Sequence, residues 1–182
     1  MTNQEKWQEI IDNKFIEWGR DPKSLEDDMV IPVDTIPRLL GLLADGADVG
    51  YALCALRHGA QQWSAFDVVD GEYGHSISDD QEKAERVWGT VQDVAGVGMF
   101  CTAIKRRVLE AFPFEIRGSA CNDWYFSLDC QERGFIQRCD LGLICGHMTM
   151  EPSPMILWPQ VPVQGKGRRY TARREYLGRG KA

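Results

Sequence analysis

Asn122-Asp123-Trp124-Tyr125-Phe126-Ser127-Leu128-Asp129-Cys130-Gln131-Glu132-Arg133-Gly134-Phe135-Ile136-Gln137-Arg138-Cys139-Asp140-Leu141-Gly142-Leu143-Ile144-Cys145-Gly146-His147 joins a helix to apolar strands in one run, and its reading decides the fold. Residues 122–133 read as a helix. Asn122 offers a side-chain oxygen to an N-cap, and Gly134 suits the left-handed position that closes a helix. Ile136 to Cys139 and Leu141 to Cys145 read as two short strands. Upstream, Val49 to Leu56 reads as a largely buried strand and Ser64 to Val69 as a second. Asp34 or Thr35 caps a helix whose apolar side is Leu39, Leu40, Leu42 and Leu43, with Pro37 tolerated in its first turn. Val91 to Thr102 is apolar and broken by glycines, and a short helix over about 103–111 ends at Pro113. Strands and helices mix without strict alternation, so the class is α/β.

The flanks read differently. Trp7, Ile10, Ile11, Phe15 and Trp18 recur at near-helical spacing and predict an amphipathic helix over 3–18, within an N-terminal unit of residues 1–20. Residues 21–150 form the core unit. Within it, 70–86 are polar, hold Gly71, Gly74 and Asp79-Asp80, and are expected to form a long loop. Beyond Met150, Pro152, Pro154, Pro159 and Pro162 predict an extended segment running into a basic, flexible tail, so that 151–182 stand apart as the third unit.

Composition narrows the function. The chain has 182 residues, 43% hydrophobic and 26% charged, which excludes fibrous and wholly disordered classes. No apolar run reaches the roughly 18 residues of a membrane span. The polar start lacks the apolar stretch of a secretory signal, so a cytoplasmic protein is expected. The net charge is −6, yet residues 165–182 carry +6, leaving −12 on the rest. An acidic body does not suit a nucleic-acid-binding core. The six cysteines, at 54, 101, 121, 130, 139 and 145, contain no C-x2–4-C knuckle. They read as buried free thiols rather than as a zinc site or a disulfide framework.

Three polar sites carry candidate chemistry. Glu26 and Asp28 lie two apart, so on extended chain they project to one side and can share a hard cation; a solvated acidic turn is the plain alternative. Asp123 sits at a helix start, where the dipole favours a carboxylate for stability alone, and where a carboxylate can also serve as general base to a hydroxyl. His147 follows an apolar strand. A neutral imidazole there suits a divalent metal, or simply fills a structural position.

Four segments in their order resemble glycosyltransferases of the GT-A fold, in particular the large inverting family 2. Glu26-Asp27-Asp28, followed by Pro32-Val33-Asp34-Thr35-Ile36-Pro37-Arg38-Leu39-Leu40, is similar to that family's D-x-D motif and the P-x-D-T-l-x-x-L-L helix after it. Gly96-Val97-Gly98-Met99-Phe100-Cys101-Thr102-Ala103-Ile104-Lys105-Arg106-Arg107-Val108-Leu109-Glu110 resembles its glycine-containing, acceptor-side segment. Asn122-Asp123-Trp124-Tyr125-Phe126 with Gly134-Phe135 resembles the E-D-x-d-f helix, and Asp140 to His147 the closing D-x-x-l-x-c-x-H strand. The resemblance covers about residues 25–150.

The resemblance implies a partial GT-A mixed sheet flanked by helices. It implies a metal-dependent transfer of sugar from a nucleotide-sugar donor to an acceptor hydroxyl, with inversion. Asp28 and His147 would hold Mn2+ or Mg2+, and Glu26 would meet the ribose or the metal. Gly96 and Gly98 would let backbone approach the donor sugar, and Asp123 would be the general base. Asn122 and Trp124 would lie on the acceptor side. Glu26 stands where the family has Asp, and Asn122 where it has Glu. The family also places a nucleotide-binding βαβ region before D-x-D, each such unit needing about 30 residues or more, whereas 25 residues precede Glu26. The expectation is a truncated or split form, a degenerate relative, or a protein whose nucleotide-binding half comes from a partner chain or a second copy. The alternative is an inactive or split glycosyltransferase-like binding module.

Overall fold

A computed structural model describes residues 29–57, 61–70, 73–112, 122–149, 154–165 and 168–177. The helix expected over 3–18 and the Glu26-Asp27-Asp28 triplet lie outside them. In chain order the elements are β1 (Met29–Val30), α1 (Thr35–Ala44), β2 (Val49–Leu53), β3 (Ala65–Asp70), β4 (Tyr73–Ser76), a 3-10 turn (Ile77–Asp79), α2 (Gln81–Val87), β5 (Val91–Asp93), β6 (Gly96–Val97), β7 (Thr102–Ile104), α3 (Arg106–Ala111), α4 (Asn122–Glu132), β8 (Gln137–Ile144), β9 (Gly146–Thr149), β10 (Met155–Gly165) and β11 (Arg168–Tyr176). The architecture is mixed α/β, with three small sheets ordered β5-β8-β2-β7, β4-β3-β6 and β1-β9-β10-β11.

The central strand β2 is buried at all five positions and runs parallel to β8, while β7 and β5 run antiparallel. Side-chain alternation sends Val49, Tyr51 and Leu53 into the larger core, with Val108, Phe126 and Leu141. Ala52 and Cys54 face the other way, under Leu39 and Leu42 of α1, beside Leu143 and Cys145. Covering both faces is what permits a near-continuous apolar strand. Gly50 lies beneath α1, where an added Cβ would stand 3.2 Å from Leu42. Arg38 of α1 grips Asp140 of β8 bidentately, Nε to Oδ2 at 2.9 Å and Nη2 to Oδ1 at 2.8 Å. That charged pair joins two apolar elements without leaving a lone buried carboxylate.

Three expectations are corrected. The polar stretch 70–86 is not a loop but β4, the 3-10 turn and α2. Its polar residues are caps: Ser76 and Asp79 close a capping box, and Asp80 Oδ1 accepts from Lys83 N–H at 3.0 Å. The two strands expected at 136–139 and 141–145 are the single strand β8, because Arg38 neutralises the charge of Asp140 in its middle. The extended segment expected after Met150 is β10, but the part expected as a flexible tail contains β11, paired with β10 antiparallel from Met155↔Tyr176 to Gly165↔Arg168. Met155, Leu157 and Ala172 are buried against Ala55 while Arg173 and Arg174 stay exposed. The register breaks between Pro159 and Val163, at the two prolines that cannot donate to a ladder. Thr35 anchors the start of α1 by donating from its hydroxyl to Pro32 O at 2.6 Å. Asp34 makes no side-chain cap bond and pairs with Arg38 at 3.6 Å.

Candidate functional site

The carboxyl ends of the parallel strands β2 and β8 carry the first half of the site. Beyond β2 the chain reaches Cys54 and Ala55; beyond β8 it reaches Cys145, Gly146 and His147. Cys145 N–H donates to Leu53 O at 2.9 Å, and Ala52 N–H donates to Cys101 O at 3.0 Å, so both flanking segments are fastened to the end of β2. His147, 1% exposed, places Nδ1 2.9 Å from Ala55 O. A carbonyl only accepts, so Nδ1 carries a proton. The imidazole also packs against Phe100, ring centroids 4.8 Å apart at 53°. The β1–β9 ladder sets Met29 opposite His147 and Val30 opposite Gly146, so the residue directly after Asp28 is His147's cross-strand neighbour.

Gly98 joins this half through Phe100. An added Cβ on Gly98 would overlap Phe100 Cε2 and stand 3.0 Å from Cδ2 and Cζ. The space that glycine leaves is thus taken by an aromatic ring of the chain itself. Gly98 N–H is held by Ser64 O at 3.2 Å.

The second half is built on α4. Asp123, half-buried in the first turn, accepts from Trp124 N–H through Oδ1 at 2.9 Å. The Trp124 ring meets Phe66 edge-on, centroids 5.5 Å apart at 84°. It also closes on Gly74, where an added Cβ would overlap Cη2 and lie 2.8 Å from Cζ3. Phe66 is the ladder partner of Gly96. The segment 96–98 therefore bridges the halves: Gly96 meets the Trp124 side through Phe66, and Gly98 meets the His147 side through Phe100. The Gln137 amide secures α4 beside this bridge. Its Nε2 donates to Ala95 O at 2.8 Å and Ser127 O at 3.1 Å, while its Oε1 accepts from Tyr51 O–H at 2.7 Å. Burial pushes the Tyr51 phenol well up, so it acts as a donor.

His147, Gly96, Gly98, Asp123 and Trp124 thus fall on elements linked by packing. Asn122 is the first residue of α4. Glu26 and Asp28 lie outside the described residues, and among the described residues no group of three His, Cys, Asp or Glu is placed to hold a metal ion. Cys54, Cys101, Cys130, Cys139 and Cys145 are joined in no disulfide among the described residues. Cys101 is raised by its contact with Cys145 and then by burial, and burial pushes Cys130 up to about 12, so these groups stay protonated. Sequence reasoning missed Phe100 and the Ala55 carbonyl. A glycine two residues before an aromatic was the only trace of the first, and a backbone atom leaves no trace in sequence. A polar hollow of ≈ 480 Å³ lies at the other end of β8, lined by Asp45, Asp93 and Arg138 among others. Arg138 is already bonded there to Asp93 Oδ1 at 2.6 Å and Asp45 O at 2.7 Å, and none of the candidate site residues lines it.

No family model matches the chain, and no curated protein matches it. Seven chains of solved structures do. Among them is the crystal structure of A197 from STIV, with a TM-score of 0.51 and 19% identity, covering 87% of this chain and 68% of that one. At that identity the likeness shows the fold alone. Among the described residues, no helix is long and apolar enough to cross a membrane.

Proposed function

We propose that the chain is a metal-dependent glycosyltransferase, or the acceptor-side part of one, with a partial GT-A fold. The observation that carries the reading is the Met29↔His147 pairing: it sets the chain next to Asp28 beside the one histidine that the family resemblance selects. In open α/β sheets, ligands bind outside the carboxyl ends of parallel strands, and β2 and β8 end at this point.

The residues fit a divalent cation in kind. A histidine that donates Nδ1–H to a carbonyl is the usual form of a metal-ligating imidazole. Asp28 and His147 would hold Mn2+ or Mg2+, with Glu26 at the donor ribose. When bound, the cation offsets the diphosphate charge and makes the nucleoside diphosphate a competent leaving group. Asp123 takes the acceptor hydroxyl proton as that oxygen bonds to the anomeric carbon and the bond to the diphosphate breaks, which inverts the centre.

The experiment is nucleoside diphosphate release by the purified chain, with nucleotide-sugar donors, Mn2+ and simple sugar acceptors, against Asp123→Asn. Acceptor-dependent release by wild type, abolished in the variant, supports transfer. A second reading, a glycosyltransferase-like binding module, draws on the 1% exposure of His147. It predicts binding of the nucleotide or sugar without release, and any sustained turnover removes it.

A further inference from the structure

We propose that Trp158, Arg173 and Glu175 form a stacking site for a neutral saccharide on the outer face of the sheet β1-β9-β10-β11. The three residues lie in β10 and β11, beyond the segments that carry the glycosyltransferase resemblance, and the site needs neither a cation nor His147.

Strand alternation sorts this sheet into two faces. Leu157 and Ala172 turn inward and are buried with Ala55. Trp158 turns the other way and stays partly exposed. Its ladder partner is Arg173, and Glu175 follows two residues later on the same side. The indole is pinned at both ends. Its Nε1–H donates to Glu175 Oε2 at 2.7 Å. At the far end, a Cβ added to Gly146 would stand 2.9 Å from Cη2 and 3.0 Å from Cζ2, so the six-membered ring takes the space that this glycine leaves in β9. A tryptophan fixed in this way loses little freedom when a ligand settles on it.

The surroundings of the indole select the ligand. The face of an aromatic ring is electronegative and attracts the polarised C–H groups on one face of a pyranose. The Arg173 and Glu175 side chains are 63% and 50% exposed, with Arg173 Nη2 4.0 Å from Glu175 Oε2. Neither makes another ion pair among the described residues. The pair carries no net charge for an ionic partner, while the guanidinium offers donors and Glu175 Oε1 an acceptor to hydroxyls. An apolar plate with a donor and an acceptor at its rim fits a neutral sugar ring better than a phosphate or a polycation.

The test uses the full chain labelled with 15N. The Trp158 indole resonance, assigned with Trp158→Phe, is followed while maltohexaose, cellohexaose, mannohexaose and, separately, UDP are added, and calorimetry gives the affinities. At least one hexasaccharide should shift that resonance saturably. Trp158→Ala should weaken its binding about 10-fold or more, the scale of removing an aromatic anchor, and Trp158→Phe should keep it within about 3-fold. Arg173→Ala and Glu175→Gln should each weaken it about 3-fold or more, the net worth of a hydrogen bond. No shift with any hexasaccharide, a shift with UDP alone, or saccharide binding that Trp158→Ala leaves intact would overturn the proposal. The transfer reading fails separately, through absent Mn2+-dependent nucleotide binding, and that result leaves the saccharide titration decisive for Trp158.

Discussion

His147 and Asp123 are held by different physics. His147 is 1% exposed and bonded to a carbonyl 92 positions away in sequence. Asp123 is half-buried in a helical first turn and bonded to the N–H of the very next residue. Long-range packing makes the geometry of the first half, and local helix geometry makes that of the second. On the proposed reading, a change at His147 reads out in stability as well as in ligand binding, whereas a change at Asp123 reads out in chemistry.

The largest expected effect sharpens that contrast. Asp123→Asn should slow transfer by about 10²–10⁴-fold, the usual loss when a general base is removed. Its unfolding free energy should move by no more than about 1 kcal/mol, the worth of a carboxylate at a helix start. Steady-state rates and urea denaturation on the same preparation check both, and a large loss of stability would break the comparison. His147→Ala should do the reverse in denaturation, costing about 2–5 kcal/mol as a large-to-small change in a packed core.

Asp48, at the head of β2, tests the frame that both halves share. Burial pushes its carboxyl up, but the Ile136 N–H, Arg107 and Lys105 outweigh burial and hold it below the ordinary value of 3.8. A carboxyl depressed in the folded state stabilises the fold above its unfolded value, and loses that contribution as pH falls through the folded one. Asp48→Asn should therefore cost about 1.5–3 kcal/mol at pH 6, the range for hydrogen bonds to charged groups. The gap to wild type should narrow below pH 4 in denaturant titrations. The smallest expected effect is that of Gly74→Ala, which drives a Cβ into Trp124. It should cost about 1–3 kcal/mol by overpacking, and near-ultraviolet circular dichroism should report the displaced indole.

The same contrast explains what was legible in the sequence. Short-range patterns gave true elements: the leucines of α1, the apolar run of β2, and the Asn122-to-Gly134 helix. Segments decided by distant partners were misread. Asp140 looked like a break between two strands because its partner, Arg38, lies 102 positions away. Asp79 and Asp80 looked like loop residues because a capping role shows only once the helix after them is known. The arginines of β11 looked like a solvated tail because alternation in a strand is meaningful only when one face has something to bury, and Ala172 buries against Ala55 from across the chain. At the candidate site, the helix start at Asn122-Asp123 was legible. The Phe100 contact and the Ala55 carbonyl were not, because they depend on how β9 and the segment leading into β7 meet the end of β2.

The central claim is a donor site at the carboxyl ends of β2 and β8, and one titration tests it most directly. UDP and GDP are titrated calorimetrically, with and without Mn2+, into wild type and Asp28→Ala. The account predicts nucleotide binding that requires Mn2+ and disappears in the variant. Binding of neither nucleotide by a folded wild type, or Mn2+-dependent binding that Asp28→Ala leaves intact, would contradict it.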